Sequence, residues 1–149
     1  MTLVMSSALF LCTGNSCRSQ MAEAWGRCMF PDGWQVFSAG IEKHGLNARM
    51  LTVMAEVGMD MSKHFSKTID ELPAGLSWDL VVTVCDRAAA ACPYYPGGKL
   101  IHLPFDDPPA LAVGLPEAEA LAVYRRVRDE IRTEIEKLTK CFQNDSHGL

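Results

Sequence analysis

The stretch Cys12-Thr13-Gly14-Asn15-Ser16-Cys17-Arg18-Ser19 sets a cysteine and an arginine at the two ends of a short polar loop. It runs directly into a segment with helical periodicity. Gly14 and Asn15 are residue types that accept left-handed backbone angles, which lets successive N–H groups turn inward and form a nest for an anion. A helix starting at this point adds partial positive charge, and the planar fork of Arg18 suits two oxygens of a tetrahedral oxyanion. The same field is expected to lower the Cys12 thiol to roughly 3.5–7.5, so that a nucleophilic thiolate exists at neutral pH. Ser19 is placed to donate its hydroxyl to that sulfur. The competing reading makes Cys12 a buried strand-end cysteine and Arg18 a solvated charge.

A second pair of thiols stands in Cys85-Asp86-Arg87-Ala88-Ala89-Ala90-Ala91-Cys92-Pro93. The alanines between them favour helix. Zinc binding is the rival here, but these spacings fit poorly to the short Cys-x2-4-Cys ligand pairs of zinc sites, and no metal is expected. Phe105-Asp106-Asp107-Pro108 supplies carboxylates on a later loop, one of which could act as general acid on a departing oxygen. The alternative is that Asp-Pro only starts a turn. His44, His64 and His102 have no partner that the sequence identifies and read as structural or solvated, as do Cys28 and Cys141; the methionines fall at core spacing.

These residues need a frame that brings them together. With 149 residues, 48% hydrophobic and 21% charged, the chain has the size and composition of one globular domain spanning 1–149. Its formal net charge of −4 gives no global attraction for nucleic acid or an anionic membrane, so a bound anion must be held by local groups. Met1 to Cys17 lacks charged side chains but also lacks the basic start of an export signal, and no apolar stretch is long enough to span a membrane. Six cysteines in such a chain point to a reducing compartment and a cytoplasmic location, where thiols serve chemistry more often than stapling. Short apolar runs at Ser7 to Cys12, Trp34 to Ala39, Trp78 to Cys85 and Lys99 to Leu103 read as strands. Helical patterns fall between them: one from Ser19 to Met29, one through Leu46, Met50, Val53, Met54 and Val57 with Asn47 as cap and Gly58 as stop, and a shorter piece over Ser66 to Leu72. A last helix opens at Pro116 and carries Leu121, Tyr124, Val127, Ile131, Ile135 and Leu138 on one stripe. The alternation predicts an α/β fold, a doubly wound parallel sheet of four strands flanked by helices. In such a sheet the loops after Cys12, Cys85 and Leu103 lie on one edge, where ligands bind.

The loop within F-L-C-T-G-N-S-C-R-S-Q-M-A-E resembles the phosphate loop of the low-molecular-weight protein tyrosine phosphatase fold. Together with F-S-A-G-I-E-K-H-G at Phe37 to Gly45, V-V-T-V-C at Val81 to Cys85, Cys92-Pro93, F-D-D-P and Val127 to Ile131, it resembles the thioredoxin-coupled arsenate reductases built on that fold. The resemblance covers nearly the whole chain. It implies that arsenate, or phosphate or sulfate as oxyanion ligands, is held by Thr13, Gly14, Asn15, Ser16, Cys17 and Arg18. Cys12 attacks arsenic, Asp107 protonates the departing oxygen, Cys85 attacks Cys12 as arsenite leaves, and Cys92 carries the disulfide outward to thioredoxin as electron donor. No bound cofactor is implied, and the chain is expected to act as a monomer. The resemblance also implies that Asn15, Glu23 and Ser38 brace the loop, in some members around potassium; Lys67 stands here where those members have an aspartate, so an ammonium would take the cation's place. Two other functions compete: a tyrosine phosphatase using Cys12, Arg18 and Asp107 alone, and a thiol redox sensor using only Cys85 and Cys92. Ser19-Gln20 and Pro109 depart from the phosphatase pattern, and a sensor has no need of an anion loop. If a regular helix joins Cys85 to Cys92, their Cα atoms lie about 10 Å apart, beyond the roughly 7 Å that a disulfide allows. Pairing them must then unwind Asp86 to Ala91.

Overall fold

The computed structural model describes residues 6–86 and 98–147. Cys92 and the unwinding expected of Asp86 to Ala91 depend on residues outside that range. Four strands form the sheet: β1 (Ser6–Cys12), β2 (Trp34–Gly40), β3 (Leu80–Thr83) and β4 (Lys99–His102). They pair in the order β2-β1-β3-β4, every pair parallel. The described helices are α1 (Arg18–Met29), α2 (Ala48–Glu56), α3 (Pro108–Ala112) and α4 (Glu117–His147), with a 3-10 turn at Ile69–Glu71. None of them is long and apolar enough to cross a membrane.

The strand order has a functional consequence. β1 is central, and the chain crosses from it to β2 on one side before passing to β3 on the other. The sheet therefore changes winding direction at β1, which opens a crevice beyond its carboxyl end, where Cys12 lies. β1 can occupy this place because Ser7 to Cys12 are buried on both faces, as an interior parallel strand must be. Helices cover the two faces. Met21 of α1, Met50, Val53 and Met54 of α2, and Tyr124, Val127, Ile131 and Ile135 of α4 are fully buried or nearly so. Each such side chain contributes roughly 1.5–3 kcal/mol on leaving water.

Several boundaries differ from the sequence expectations, for physical reasons. The third strand was expected over Trp78 to Cys85, but its ladder is limited to Leu80–Thr83 because β4 offers only Lys99–His102 as partner. Beyond it Val84 N–H still donates to Leu11 O at 2.9 Å, which holds the chain beside β1 up to Cys85. Ser66 to Leu72 is helical only at Ile69–Glu71, where Thr68 and Glu71 form a capping box. Before that turn, the Ser66 hydroxyl and the Lys67 amide reach toward the loop after β1, which draws the chain into an extended form. The last helix begins at Glu117, one residue after Pro116. Helix α3 is not among the elements expected from sequence; its Pro108 stands at the first helical position, favoured there because proline lacks the N–H that would go unpaired. The Asn47 cap is present, its side chain accepting from Met50 N–H, and Gly58 stops the chain at φ +79°.

Gly40, the last residue of β2, marks how closely the sheet edge approaches the loop. A Cβ there would collide with the Glu42 carbonyl oxygen and stand 2.8 Å from Thr13 O and 2.9 Å from Asn15 N. All three are backbone atoms that cannot swing away. Gly40→Ala is therefore expected to lower stability by about 1–3 kcal/mol, read as a lower Tm, because overpacked sites shift backbone to relieve contact. An unchanged Tm would contradict this packing.

Candidate active site

The loop from Cys12 to Cys17 is held by its carbonyls. Ile41 N–H donates to Cys12 O at 3.3 Å, Glu42 N–H to Thr13 O at 3.0 Å, His44 N–H to Gly14 O at 3.0 Å and Asn47 N–H to Ser16 O at 3.0 Å. Ser66 Oγ also donates to Gly14 O at 3.0 Å, and Gln20 Nε2 donates to Asn15 O at 3.2 Å. In a planar trans peptide the N–H points opposite to the C=O. Tying five successive carbonyls outward thus turns the amides of Thr13 to Cys17 the other way, toward the crevice. The segment after β2 acts as a strut along the loop, an arrangement that sequence periodicity gives no sign of.

Within the loop from Cys12 to Cys17, left-handed geometry occurs at Asn15 alone, φ +49°. The expectation that Gly14 also takes it is corrected: Gly14 serves close approach, because a Cβ there would collide with His44 Nδ1 and lie 2.8 Å from His44 Cγ. Asn15 is fully buried and spends its side chain on the frame, with Nδ2 donating to Ser19 Oγ at 2.8 Å and Ser38 Oγ at 3.0 Å. Its Oδ1 accepts from Gln20 Nε2 at 2.9 Å and Lys67 N–H at 3.0 Å. Ser38 in turn donates to Glu23 at 2.6 Å, and Lys67 Nζ lies 3.6 Å from the same carboxylate oxygen. Asn15, Glu23, Ser38 and Lys67 thus form one buried cluster behind the loop. Burial pushes the Lys67 ammonium below its ordinary value, while Glu23 pulls it back up.

A cavity of about 630 Å³ opens in front of the loop, lined among others by Cys12, Thr13, Gly14, Ser16, Cys17, Arg18, Cys85 and Asp107. Helix α1 begins at its floor with no side-chain cap, which leaves the positive end of the helix directed at a ligand. Arg18 is nearly buried. It donates from Nη1 to Phe105 O at 3.1 Å and stands 3.7 Å from Asp107, so the loop after β4 is fastened over the cavity. Asp106 turns away and pairs with Arg126 of α4 at 2.9 Å. Two adjacent carboxylates of the same motif therefore face different surroundings.

Cys85 is buried and its sulfur lies 3.2 Å from Thr13 Oγ1. It is also in hydrogen-bond contact with Cys12, and this contact together with burial pushes the Cys12 thiol upward, against the pull of Arg18 and the Thr13 amide. The lowered Cys12 value expected from sequence is corrected on this point: Arg18 and the Thr13 amide do act in that direction, but the neighbouring Cys85 thiol and burial outweigh them. Two buried thiols in contact share one charge more readily than they carry two. Burial likewise raises Cys17 to about 12, which makes it a neutral thiol in the cavity wall. Cys28 and Cys141 are exposed, away from the cavity lining. Among the described residues no group of three or more His, Cys, Asp or Glu is placed to hold a metal ion.

The histidines have partners that the sequence did not reveal. His44 lies on Gly14 at the cavity rim, with Nε2 2.7 Å from Glu42. His102 joins Thr83 to Asp86. His64 Nδ1 lies 2.9 Å from Gln20 Oε1, which steadies the amide that holds Asn15 O. Gln20 and Ser66 are further supports of the loop that the sequence did not single out, and Asn47, expected only as a helix cap, is a third.

A sequence profile of the low molecular weight phosphotyrosine protein phosphatase family matches residues 7–147. An arsenate reductase of Halalkalibacterium halodurans is 54% identical over 127 residues, covering 85% of this chain and 89% of that protein. The crystal structure of an arsenate reductase from Archaeoglobus fulgidus is similar with a TM-score of 0.68 at 31% identity, covering 89% of this chain and 98% of that one. A thioredoxin-dependent arsenate reductase of Corynebacterium glutamicum shares the fold with a TM-score of 0.72 at 23% identity, over 97% of this chain and 65% of its own.

Burial pushes His64 below its ordinary value of 6.5, assisted by Arg27 and Lys67 and opposed by Glu23 and Asp60. Below 6.5 the unfolded chain therefore takes up a proton that the fold resists, so this residue makes stability fall as pH drops. His64→Gln, which keeps an amide donor for Gln20, is expected to flatten the loss of unfolding free energy between about pH 7 and about pH 5 in denaturant titrations. An equal loss in both proteins would contradict the assignment.

Proposed function

Because the chain belongs to the low molecular weight phosphotyrosine protein phosphatase family, and to the arsenate reductases within it, we propose that it reduces arsenate to arsenite through three thiols and is regenerated by thioredoxin. The observation that carries this reading is that the buried Cys85 thiol lines the same cavity as Cys12 and lies 3.2 Å from the hydroxyl of Thr13, the residue after it. Hydrolysis of a phosphate ester has no use for a second thiol there. Arsenic(V), unlike phosphorus(V), has an accessible trivalent state and can accept two electrons from a thiol pair.

The amides of Thr13 to Cys17 and the Arg18 guanidinium hold the oxyanion. Cys12 forms a sulfur–arsenic bond, and Asp107 gives its proton to the oxygen that leaves as water. Asp107 is favoured over Asp106 because it stands beside Arg18 while Asp106 is paired elsewhere. With Cys12 bonded to arsenic, its charge no longer opposes ionisation of Cys85, and the Thr13 hydroxyl is placed to donate to the resulting thiolate. Cys85 attacks the Cys12 sulfur; a disulfide forms, the sulfur–arsenic bond breaks, and its electron pair leaves with arsenite. Cys92 then attacks Cys85, returning Cys12 as thiolate, and a thioredoxin dithiol reduces the Cys85–Cys92 disulfide. Ser19, whose hydroxyl accepts from Asn15, keeps its own proton to direct toward the nucleophile.

The test is arsenate-dependent NADPH oxidation with thioredoxin and its reductase, set beside phosphate release from an aryl phosphate. Turnover of arsenate that is abolished by Cys12→Ser and lowered about 10²–10⁴-fold by Asp107→Asn, with Asp106→Asn far milder, is the expected result. Aryl phosphate hydrolysis without arsenate-dependent oxidation would replace this reading with the phosphatase one.

Lys67 takes the place of a bound cation in the loop-bracing cluster, its ammonium facing Glu23 while its amide holds Asn15. Potassium and sodium chloride at equal ionic strength should therefore give the same Tm and turnover. Stabilisation by potassium over sodium would count against it.

A further inference from the structure

Tyr124 is among the most deeply buried side chains, 1% exposed in the stripe of α4 that otherwise presents Val127, Ile131 and Ile135 to the core. A phenylalanine would fill such a place, and a buried hydroxyl costs free energy unless it is used. Its use is visible. The phenol oxygen accepts from Asn47 Nδ2 at 3.1 Å. Burial pushes the phenol upward, so it stays neutral and serves as an acceptor.

Asn47 is the joint between this helix and the anion loop. Its Oδ1 caps α2 by accepting from Met50 N–H at 3.0 Å, and its own N–H holds Ser16 O at 3.0 Å. With both side-chain atoms fixed, the Asn47 backbone has one orientation, and that orientation fixes the Ser16–Cys17 peptide. Cys17 N–H is the last of the amides turned toward the cavity, the one next to Arg18.

We propose that the Tyr124 hydroxyl is a positioning group for the oxyanion, acting through Asn47 on the Ser16–Cys17 peptide. The proposal rests on the oxyanion role assigned above to the loop, and it concerns binding rather than the thiol relay. Removing the hydroxyl leaves Asn47 Nδ2 without its acceptor and loosens one of the five outward-tied carbonyls, so affinity for the anion falls while the later electron transfer proceeds as before.

Tyr124→Phe is compared with Ile131→Val, a variant that removes one buried methylene from the same helix away from the cavity. Inorganic sulfate is titrated calorimetrically into each full chain, and kcat and KM for arsenate are measured with thioredoxin. For Tyr124→Phe, sulfate should bind about threefold to tenfold more weakly, as loss of one hydrogen bond implies, and KM should rise in parallel with kcat within about twofold. Ile131→Val should lower Tm and leave both affinities at the wild-type values. If Tyr124→Phe lowers Tm but leaves sulfate affinity and KM unchanged, the hydroxyl is only structural and the proposal is overturned. If the wild-type chain itself fails to take up sulfate, the oxyanion reading of the loop falls, and this proposal with it.

Discussion

Five successive carbonyls, from Cys12 to Ser16, are each bound by a donor outside the anion loop, and the peptide geometry then commits the following amides to the cavity. A loop of this kind is costly to hold, since several N–H dipoles converge on one point and repel one another without an anion between them. The frame must therefore come from elsewhere. It comes from the segment after β2, from Gln20 on α1, from Ser66, and from Asn47 at the start of α2.

The proposed thiol chemistry depends on the same constraint. Cys12 is the last residue of the central strand, and Cys85 follows β3, its immediate neighbour in the sheet. Parallel pairing brings the two carboxyl ends level, and Val84, bonded to Leu11, keeps the register to the end. The sulfurs meet because the strands do. Their contact raises the cost of a thiolate on Cys12, while Arg18, the Thr13 amide and the positive end of α1 offset it. An oxyanion that calls those same donors into use belongs between the two influences. Behind the loop, Lys67, Glu23, Ser38 and Asn15 settle a second problem, a buried carboxylate, by placing one ammonium near it and one hydroxyl on it.

Much of this was legible in residue order. Apolar runs ending in Cys12 and Cys85, the Gly-Asn pair before Arg18 and the Asn47 cap located the sheet edge and the loop, because each follows from local chemistry: burial, backbone freedom, a side chain that bonds its own next turn. Lys67 was singled out by resemblance, and its ammonium lies 3.6 Å from Glu23. What local reading missed were contacts between distant segments. Nothing in the neighbourhood of His64 signals Gln20, and nothing around Thr13 signals the sulfur of Cys85. The raised Cys12 thiol is a different kind of miss: Cys12 and Cys85 were expected on one sheet edge, but loop and helix alone predict a low value, which leaves out the effect of the neighbouring thiol and burial. Gly14 shows a subtler miss, since the residue type was read correctly as special while the reason was contact with His44 and not its backbone angle.

The central claim is that the loop amides, turned inward by their tied carbonyls, form the oxyanion site against Cys12. The most direct measurement is a titration of the ¹⁵N-labelled protein with sulfate, following the backbone amides by NMR. The account predicts that Thr13, Gly14, Asn15, Ser16 and Cys17 shift together along one saturable curve, with the Arg18 side-chain signals on the same curve. Saturable binding that moves other surfaces and leaves these five amides in place would contradict it.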